Sequence, residues 1–144
     1  MIRRPRPDDD ARNLAIWRAA VHATHEFLSV ADLTAIDVQV QRHLPSLITW
    51  VAVDEADRPL GFMAMNGGHV AALFVDPEAH GRGVGRSLIE KAASQHPGGL
   101  TVDVNEQNPR AIGFYVRLGF APFGRSPLDD AGRPYPLIHM RRAP

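Results

Sequence analysis

Residues 73–89 read LFVDPEAHGRGVGRSLI, and the interpretation of this stretch decides the fold. An apolar run of β type ends at Pro77, passes through the closely spaced glycines 81, 83 and 85, and enters an amphipathic helix. Glycine permits positive φ angles and a close approach of the backbone to a ligand. The first turn of the helix offers unpaired N–H groups and the positive end of a dipole, which together favour a bound phosphate. The stretch therefore predicts a phosphate-binding connection between a strand and a helix.

The composition is typical of a globular protein. The 144 residues are enough for a single domain over 1–144 with a buried core. Sixteen basic and sixteen acidic residues cancel, which gives no support to a nucleic-acid or membrane-surface partner. The chain has no cysteine, so disulfides, thiolate chemistry and cysteine–zinc sites are excluded. No apolar segment of signal-peptide or membrane-spanning length follows the basic start of the sequence, and we expect a cytoplasmic protein.

Apolar periodicity and turn residues predict a mixed α+β fold in the order β-α-α-β-β-β-α-β-α-β-β. Asp8 to Asp10 supply the N-cap and first turn of a predicted helix that runs to about residue 26. Further helices are predicted over 32–43, 83–95 and 109–118, with Pro45 ending the first of these. Strands are predicted over 2–4, 49–53, 60–65, 69–75, 100–104, 120–124 and 136–140. A strand–helix–strand crossover makes one central pair parallel, whereas the hairpins are antiparallel. We therefore expect a mostly antiparallel sheet of about six or seven strands with helices on both faces.

Three phosphate-binding loops compete for the glycine-rich stretch. A Walker A loop needs four residues between its glycines and then a lysine, whereas Gly81 and Gly85 are separated by three residues and Arg86 follows. A dinucleotide fingerprint needs G-x-G-x-x-G in an early βαβ unit, and both the spacing and the position differ here. The x-x-G-x-G loop that binds the pyrophosphate of coenzyme A fits both the spacing of the glycines and their position in the order of strands. A purely structural strand-to-helix connection is the fourth possibility.

A second motif lies in residues 105–120, NEQNPRAIGFYVRLGF. It contains the pattern N-x-x-A-x-x-F-Y, beginning at Asn108, followed by Gly119-Phe120. With the upstream glycine loop and the order of strands and helices, the chain resembles the GNAT family of acetyl-coenzyme A-dependent N-acetyltransferases over essentially its whole length. One residue departs from the family pattern, because His80 stands where a glutamine or arginine is usual.

The resemblance implies a coenzyme site built mainly from the backbone. The strand residues Leu73, Phe74 and Val75 would pair with the amides of the pantetheine arm. The pyrophosphate would be held by the backbone amides of Arg82, Gly83, Val84, Gly85, Arg86 and Ser87. Side chains of Arg82 and Arg86 either add positive charge or are solvated surface residues. Asn108 is expected to contact the coenzyme and also to cap the helix that follows it.

Two residues are candidates for proton transfer. The resemblance implies that Tyr115 is the general acid, because a phenol near the sulfur can protonate the leaving thiolate. The alternative is a packing role beside Phe114. An amine acceptor must lose a proton before it attacks the thioester, and His69 falls where histone-type members of the family carry a glutamate base. The alternative for His69 is an exposed histidine at a strand end.

The acceptor site is less defined by the sequence. His25 and Glu26 lie near the predicted end of the first helix, where the family shapes the acceptor pocket, and Asn105 follows a predicted central strand. The spacing H-x-x-H-E from His22 matches neither zinc motif of this type, so no metal is expected. Tyr135 lies where the last hairpin could close over the acceptor.

The sequence thus predicts an acetyltransferase that moves the acetyl group of acetyl-CoA to the amine of a small molecule or peptide by direct attack in a ternary complex. A monomer or homodimer is expected. The rival hypothesis is a non-catalytic acyl-CoA-binding or sensor module, which would keep the glycine loop without depending on Tyr115.

Overall fold

The computed structural model describes all residues 1–144 and shows one seven-stranded sheet in the order β1-β2-β3-β4-β5-β7-β6. All neighbouring strands are antiparallel except the central pair β4 and β5. The strands are β1 Ile2–Arg3, β2 Trp50–Val53, β3 Pro59–Asn66, β4 His69–Val75, β5 Leu100–Asn105, β6 Ala121–Ser126 and β7 Leu137–Arg142. The helices are α1 Asp10–Thr24, α2 Val30–Leu47, α3 Val84–Gln95 and α4 Pro109–Arg117. The predicted fold class and element order are confirmed.

The helices cover the sheet from both sides because neighbouring strand residues point in opposite directions. Val51, Val53 and Phe62 pack in one apolar cluster with residues of α1 and α2. Their neighbours Ala52 and Met63 pack in a second cluster, which contains the apolar face of α3 and the ring of Tyr115 from α4. The two cores therefore lie on opposite faces of the sheet.

The second helix differs from its prediction at both ends. It begins at Val30, because the side chain of Ser29 caps it by accepting a hydrogen bond from the amide of Asp32 at 3.1 Å. Pro45 does not end it, and the helix continues to Leu47. A proline costs a helix the hydrogen bond of its own nitrogen, but this one stands in the last turn, where few later bonds depend on it. The amide of Ile48 still bonds to the carbonyl of Leu44 at 3.3 Å.

The parallel pair β4–β5 is short, and this opens the sheet. Its register contains only two pairs, His69 with Thr101 and Val70 with Val102. On the other side of β4 the register slips, since Val70 pairs with Met65 and Ala72 pairs with Ala64. Ala71 is thus the extra residue of a β-bulge, a feature that bends a strand. Beyond the bulge, β4 has a pairing partner only on β3, and its other edge faces a gap.

Candidate active site

The loop after β4 is held down by a buried carboxylate. Asp76 accepts a hydrogen bond from the amide of Glu78 at 3.0 Å and an ion-pair contact from Arg12 of α1 at 2.5 Å. Burial opposes the charge of Asp76, but the Glu78 amide and the Arg12 guanidinium outweigh it, and the pKa of the carboxyl is lowered. The side chain therefore fixes the start of the glycine-rich loop against the first helix.

The glycines of the loop have separate tasks. Gly83 caps α3 with a φ of 76°, a left-handed conformation that favours glycine. At Gly85 a Cβ atom would lie 2.9 Å from the ring of Phe114, so this position lets α3 approach α4 closely. Helix α3 then begins at Val84, and the amides of its first turn face outward without acceptors inside the helix.

A cavity of about 480 Å³ lies where the gap beside β4 meets this first turn. Its wall is formed by the end of β4, the glycine loop, the start of α3, one side of α4 and the end of α1. The lining residues are Ala20, Thr24, His25, Leu73, Phe74, Val75, Ala79, His80, Gly81, Gly83, Val84, Gly85, Arg86, Asn108, Arg110, Ala111, Phe114, Tyr115 and Arg117. Three of these are arginines and none is acidic, so the cavity suits a ligand with several negative charges.

Most residues predicted to bind the coenzyme meet in this wall. Leu73, Phe74, Val75, Gly83, Val84, Gly85, Arg86, Asn108 and Tyr115 all line the cavity. Arg82 is exposed beside it and does not line it. The prediction fails at Ser87, whose amide already bonds to the carbonyl of Gly83 at 2.9 Å inside the helix. The available amides of the turn therefore end at Arg86.

Tyr115 is one of the two buried polar residues of the wall, the other being Asn108. Its ring packs edge-on against Phe114 at 5.0 Å and against Phe120 at 5.2 Å between centroids. Burial raises the pKa of the phenol, which keeps the proton on the oxygen at any physiological pH. The packing role and a position on the cavity therefore coexist, and the side chain can donate its proton to a ligand there.

Asn108 also combines two positions. Its side-chain oxygen accepts a hydrogen bond from the amide of Ala111 at 3.2 Å, so it is the N-cap of α4, with Pro109 in the first turn. It is buried and lines the cavity. The cap is thus established, whereas its contact with a coenzyme stays a prediction.

The residues predicted for the acceptor do not converge as closely. His25 lines the cavity, and burial lowers the pKa of its imidazole. Helix α1 ends at Thr24, two residues before its prediction, so Glu26 lies exposed in the loop that follows. Asn105 ends β5, half-buried and outside the cavity wall.

His69 is not brought to the cavity. It begins β4, four residues before Leu73, which corresponds to roughly 13 Å along an extended strand. Its Nδ1 atom lies 2.8 Å from the hydroxyl oxygen of Thr101 on β5. A direct contact with a ligand held beside Leu73 is therefore out of reach, and the predicted role as a base needs a different argument.

Several residues of the wall were missed by the sequence reasoning. Arg110, Arg117 and Phe114 project from α4 into the cavity. Arg110 and Phe114 are part of the second motif, so the periodicity of that helix was the available signal. Tyr135 does not line the cavity, and its hydroxyl donates a hydrogen bond to Asp32 and accepts one from the amide of Ser29 at 3.2 Å.

No helix is both long and apolar enough to cross a membrane. No group of three or more histidine, aspartate or glutamate side chains is arranged to hold a metal ion.

Comparisons with known proteins agree on one family. The family model of the acetyltransferase (GNAT) domain matches residues 45–122. The chain is 49% identical over 139 residues to the peptidyl-lysine N-acetyltransferase YjaB of Escherichia coli strain K12, with 96% of this chain and 94% of that protein covered. It is 48% identical to the YjaB protein of Salmonella typhimurium, with 96% and 95% covered. The solution structure of the apo form of E. coli YjaB superimposes with a TM-score of 0.92 at 48% identity, covering 98% of this chain and 95% of that one. The chain therefore belongs to the GNAT family and is an N-acetyltransferase that uses acetyl-CoA as its acetyl donor.

Proposed function

We propose that this protein acetylates the side-chain amine of lysine residues in peptides or proteins, by direct attack of the amine on the thioester within a ternary complex. The observation that carries the proposal is the unpaired edge of β4 at Leu73–Val75, which lies in one cavity with Tyr115. The lysine acceptor is supported by the 48–49% identity to proteins named peptidyl-lysine N-acetyltransferases. The alternative of a non-catalytic binding module is not favoured by these relatives.

The cavity fits the coenzyme in shape and charge. The free edge of Leu73–Val75 has main-chain donors and acceptors for the amides of the pantetheine arm. The amides of Gly83, Val84, Gly85 and Arg86 lie at a helix N-terminus, the usual place for a pyrophosphate. Arg86, Arg110 and Arg117 supply positive charge around it, and Arg82 lies beside them.

The chemistry needs two contributions from the chain. Acetyl-CoA, when bound, supplies an acetyl group activated as a thioester. Main-chain N–H groups of β4 near Leu73 stabilise the negative charge that develops on the carbonyl oxygen. The amine attacks in its neutral form, and as the new C–N bond forms and the C–S bond breaks, Tyr115 donates its phenolic proton to the departing sulfur. The proton released from the new amide nitrogen passes through solvent and restores the neutral phenol. The lack of cysteine agrees with direct transfer, since no cysteinyl acyl-enzyme can form.

The test is mass spectrometry of peptides incubated with the protein and acetyl-CoA. Each peptide carries one lysine and a blocked N-terminus, and its control has arginine at the lysine position. We expect one acetyl group on the lysine peptide and none on the control. Acetylation confined to peptides with a free N-terminus would overturn the lysine assignment and favour an α-amine acceptor.

Two expectations about the state of the protein stay predictions. The cytoplasmic location and the monomeric or homodimeric state rest on the sequence alone. Sedimentation velocity at several concentrations measures the second directly, and a larger assembly would contradict it.

A further inference from the structure

Three polar side chains form a hydrogen-bonded row on neighbouring strands outside the cavity. They are Asp103 of β5, His139 of β7 and Ser126 of β6, and we name them the Ser126 triad. Asp103 pairs directly with His139, whereas Ser126 lies two residues along β6 from Gly124, the other partner of His139. None of the three lines the cavity, so the proposed acetyl transfer does not use them.

The hydrogen bonds of the Ser126 triad all run in one direction. Nδ1 of His139 lies 2.5 Å from Oδ1 of Asp103, and because a carboxylate only accepts, Nδ1 carries the proton. Nε2 of the neutral ring then holds the lone pair, and it lies 2.7 Å from the hydroxyl oxygen of Ser126, which donates to it. A carboxylate, an imidazole and a hydroxyl in this order activate a serine for nucleophilic attack on several unrelated folds.

The carboxylate of Asp103 makes its hydrogen bond to His139 alone among the histidines near it. Its other oxygen, Oδ2, is 3.6 Å from Nε2 of His69, which is too far for a hydrogen bond. Nδ1 of His69 lies 2.8 Å from the hydroxyl oxygen of Thr101 instead. Asp103 therefore orients the imidazole of His139, and its charge stabilises the imidazolium that forms when Ser126 loses its proton.

The Ser126 triad lies on an open face of the sheet. Its side chains point away from Val102 and Met140, which are buried in the core with α3. The core between the other face of the sheet and the helices α1 and α2 contains no residue of β5, β6 or β7. The side chains of Asp103 and His139 are each 26% exposed, and Ser126 is half-buried. A small molecule can therefore reach the hydroxyl and the imidazole.

The strand β6 shapes the approach to His139. A Cβ atom at Gly124 would lie 3.3 Å from Cδ2 of the imidazole, so glycine lets the ring lie close against this strand. Phe123 is 63% exposed, and its ring centroid is 6.1 Å from that of His139. Because β6 is the edge of the sheet, main-chain N–H groups on its outer side have no partner strand. An apolar surface and free hydrogen-bond donors thus lie beside the hydroxyl of Ser126.

We propose that Ser126 is the nucleophile of a second activity, the hydrolysis of small activated esters such as the acyl esters of phenols. Oγ of Ser126 attacks the carbonyl carbon of the ester while its proton passes to Nε2 of His139. The bond to the phenol oxygen breaks, the phenol takes that proton, and the acyl group stays on Oγ. Water then attacks the acyl carbon and gives a proton to Nε2. The acid leaves as its bond to Oγ breaks, and His139 returns the proton to Oγ.

The three side chains have different roles in this scheme. Ser126 and His139 touch the reacting atoms, whereas Asp103 acts through the imidazole and is a positioning residue. The exposed ring of Phe123 favours an ester with an aryl group. The reaction consumes only the ester and water, so it is independent of acetyl-CoA and of the acceptor amine.

The experiment treats the protein, without acetyl-CoA, with an alkyl fluorophosphonate and locates the adduct by peptide mass spectrometry. An activated serine oxygen displaces fluoride from this probe. The variants are Ser126→Ala, His139→Gln, Asp103→Asn and Asp103→Glu. The controls are Ser94→Ala on α3 and His43→Gln on α2, both exposed and outside the Ser126 triad. Hydrolysis of p-nitrophenyl acetate is followed in parallel, and circular dichroism shows that each variant is folded.

We expect one phosphonyl group per wild-type chain, on Ser126, and a burst of p-nitrophenolate, which is the sign of an acyl-enzyme. Ser126→Ala abolishes both, and the controls match the wild type. The labelling rate falls about 100-fold in His139→Gln, which lacks the general base. It falls at least about 100-fold in Asp103→Asn, because a neutral amide neither stabilises the imidazolium nor fixes the tautomer. Asp103→Glu restores part of the rate, since it keeps the charge that a purely structural role would not need.

The wild-type protein alone decides the main point. If the fluorophosphonate leaves Ser126 unmodified there, the proposal is wrong, whether or not the variants fold. Equal labelling rates in the wild type and in His139→Gln would also overturn it, because the hydroxyl would then react without a base. Ester hydrolysis that persists in Ser126→Ala would contradict the proposed activity by assigning it to another group.

Discussion

The two sides of the site are built in different ways. The side proposed for the coenzyme comes mainly from two continuous stretches, residues 73–86 and 108–117, in which strand, glycine loop and helix follow each other along the chain. The side proposed for the acceptor joins residues far apart in sequence, such as Ser29 with Tyr135, 106 positions away. Local conformation shapes the glycine loop and the helix starts of the first side, whereas the second side exists only once the sheet has formed.

The largest effect is expected from a charge placed on the coenzyme side. Gly83→Asp puts a carboxylate at the N-cap of α3, where it competes with the pyrophosphate for the same amides. We expect acetyl-CoA affinity to fall at least about 100-fold in calorimetry, because the new carboxylate repels an anionic ligand and occupies the amides that would bind it. Gly132→Asp is the matched control, since Gly132 has a φ of 78° and an equally open surrounding but lies outside the cavity. Equal affinity for both variants would place the pyrophosphate elsewhere.

The next effect separates chemistry from binding. Tyr115→Phe removes the phenolic proton but keeps the ring between Phe114 and Phe120. We expect kcat to fall about 100-fold, as is typical for the loss of a general acid, with acetyl-CoA affinity nearly unchanged. Steady-state kinetics with calorimetry on the same preparation measures both. A variant with wild-type kcat would leave Tyr115 as a packing residue.

A pH-dependent effect tests how the loop is anchored. The folded-state pKa of Asp76 is lowered, so the carboxylate stabilises the fold above its unfolded pKa of about 3.9, and this stabilisation is lost as pH falls through the lower folded value. We expect Asp76→Asn to lower the free energy of unfolding at pH 7 by about 2 kcal/mol. The difference from the wild type should shrink below pH 4, as measured by urea unfolding at both pH values. A difference independent of pH would show that the charge of Asp76 is not what holds the loop.

The smallest effect is expected on the acceptor side. Tyr135→Phe breaks the hydrogen bonds of the hydroxyl with Asp32 and with the amide of Ser29, which connect the loop before β7 to the start of α2. We expect the loss of these hydrogen bonds to weaken peptide binding by about 1 kcal/mol, which corresponds to about a fivefold rise in the KM of the peptide. Acetyl-CoA affinity should not change, since Tyr135 does not line the cavity. If acetyl-CoA affinity fell by the same factor as the KM of the peptide rose, the sides proposed for coenzyme and acceptor would not be independent of each other.

The fold was predicted well where local signals are strong. Alternating polar and apolar residues, helix caps and turn residues predicted the order of strands and helices. The two motifs contain most of the residues that line the cavity. The failures have local causes. Pro45 was expected to end α2, but a proline in the last turn disturbs few hydrogen bonds. The resemblance implies that the Ser87 amide binds phosphate, whereas this amide is already bonded to the carbonyl of Gly83 inside the helix.

The sequence by itself determined the strand–loop–helix unit around Gly83 and the second helix that carries Asn108 and Tyr115, because each depends on conformational preferences within a few residues. Only the tertiary structure decided that β7 lies between β5 and β6 and that β4 bulges at Ala71. Those two features bring His69, Asp103 and His139 together, since strand neighbours are chosen by packing and hydrogen bonding across the whole sheet. No spacing of residues in the sequence indicates which strands become neighbours in the sheet.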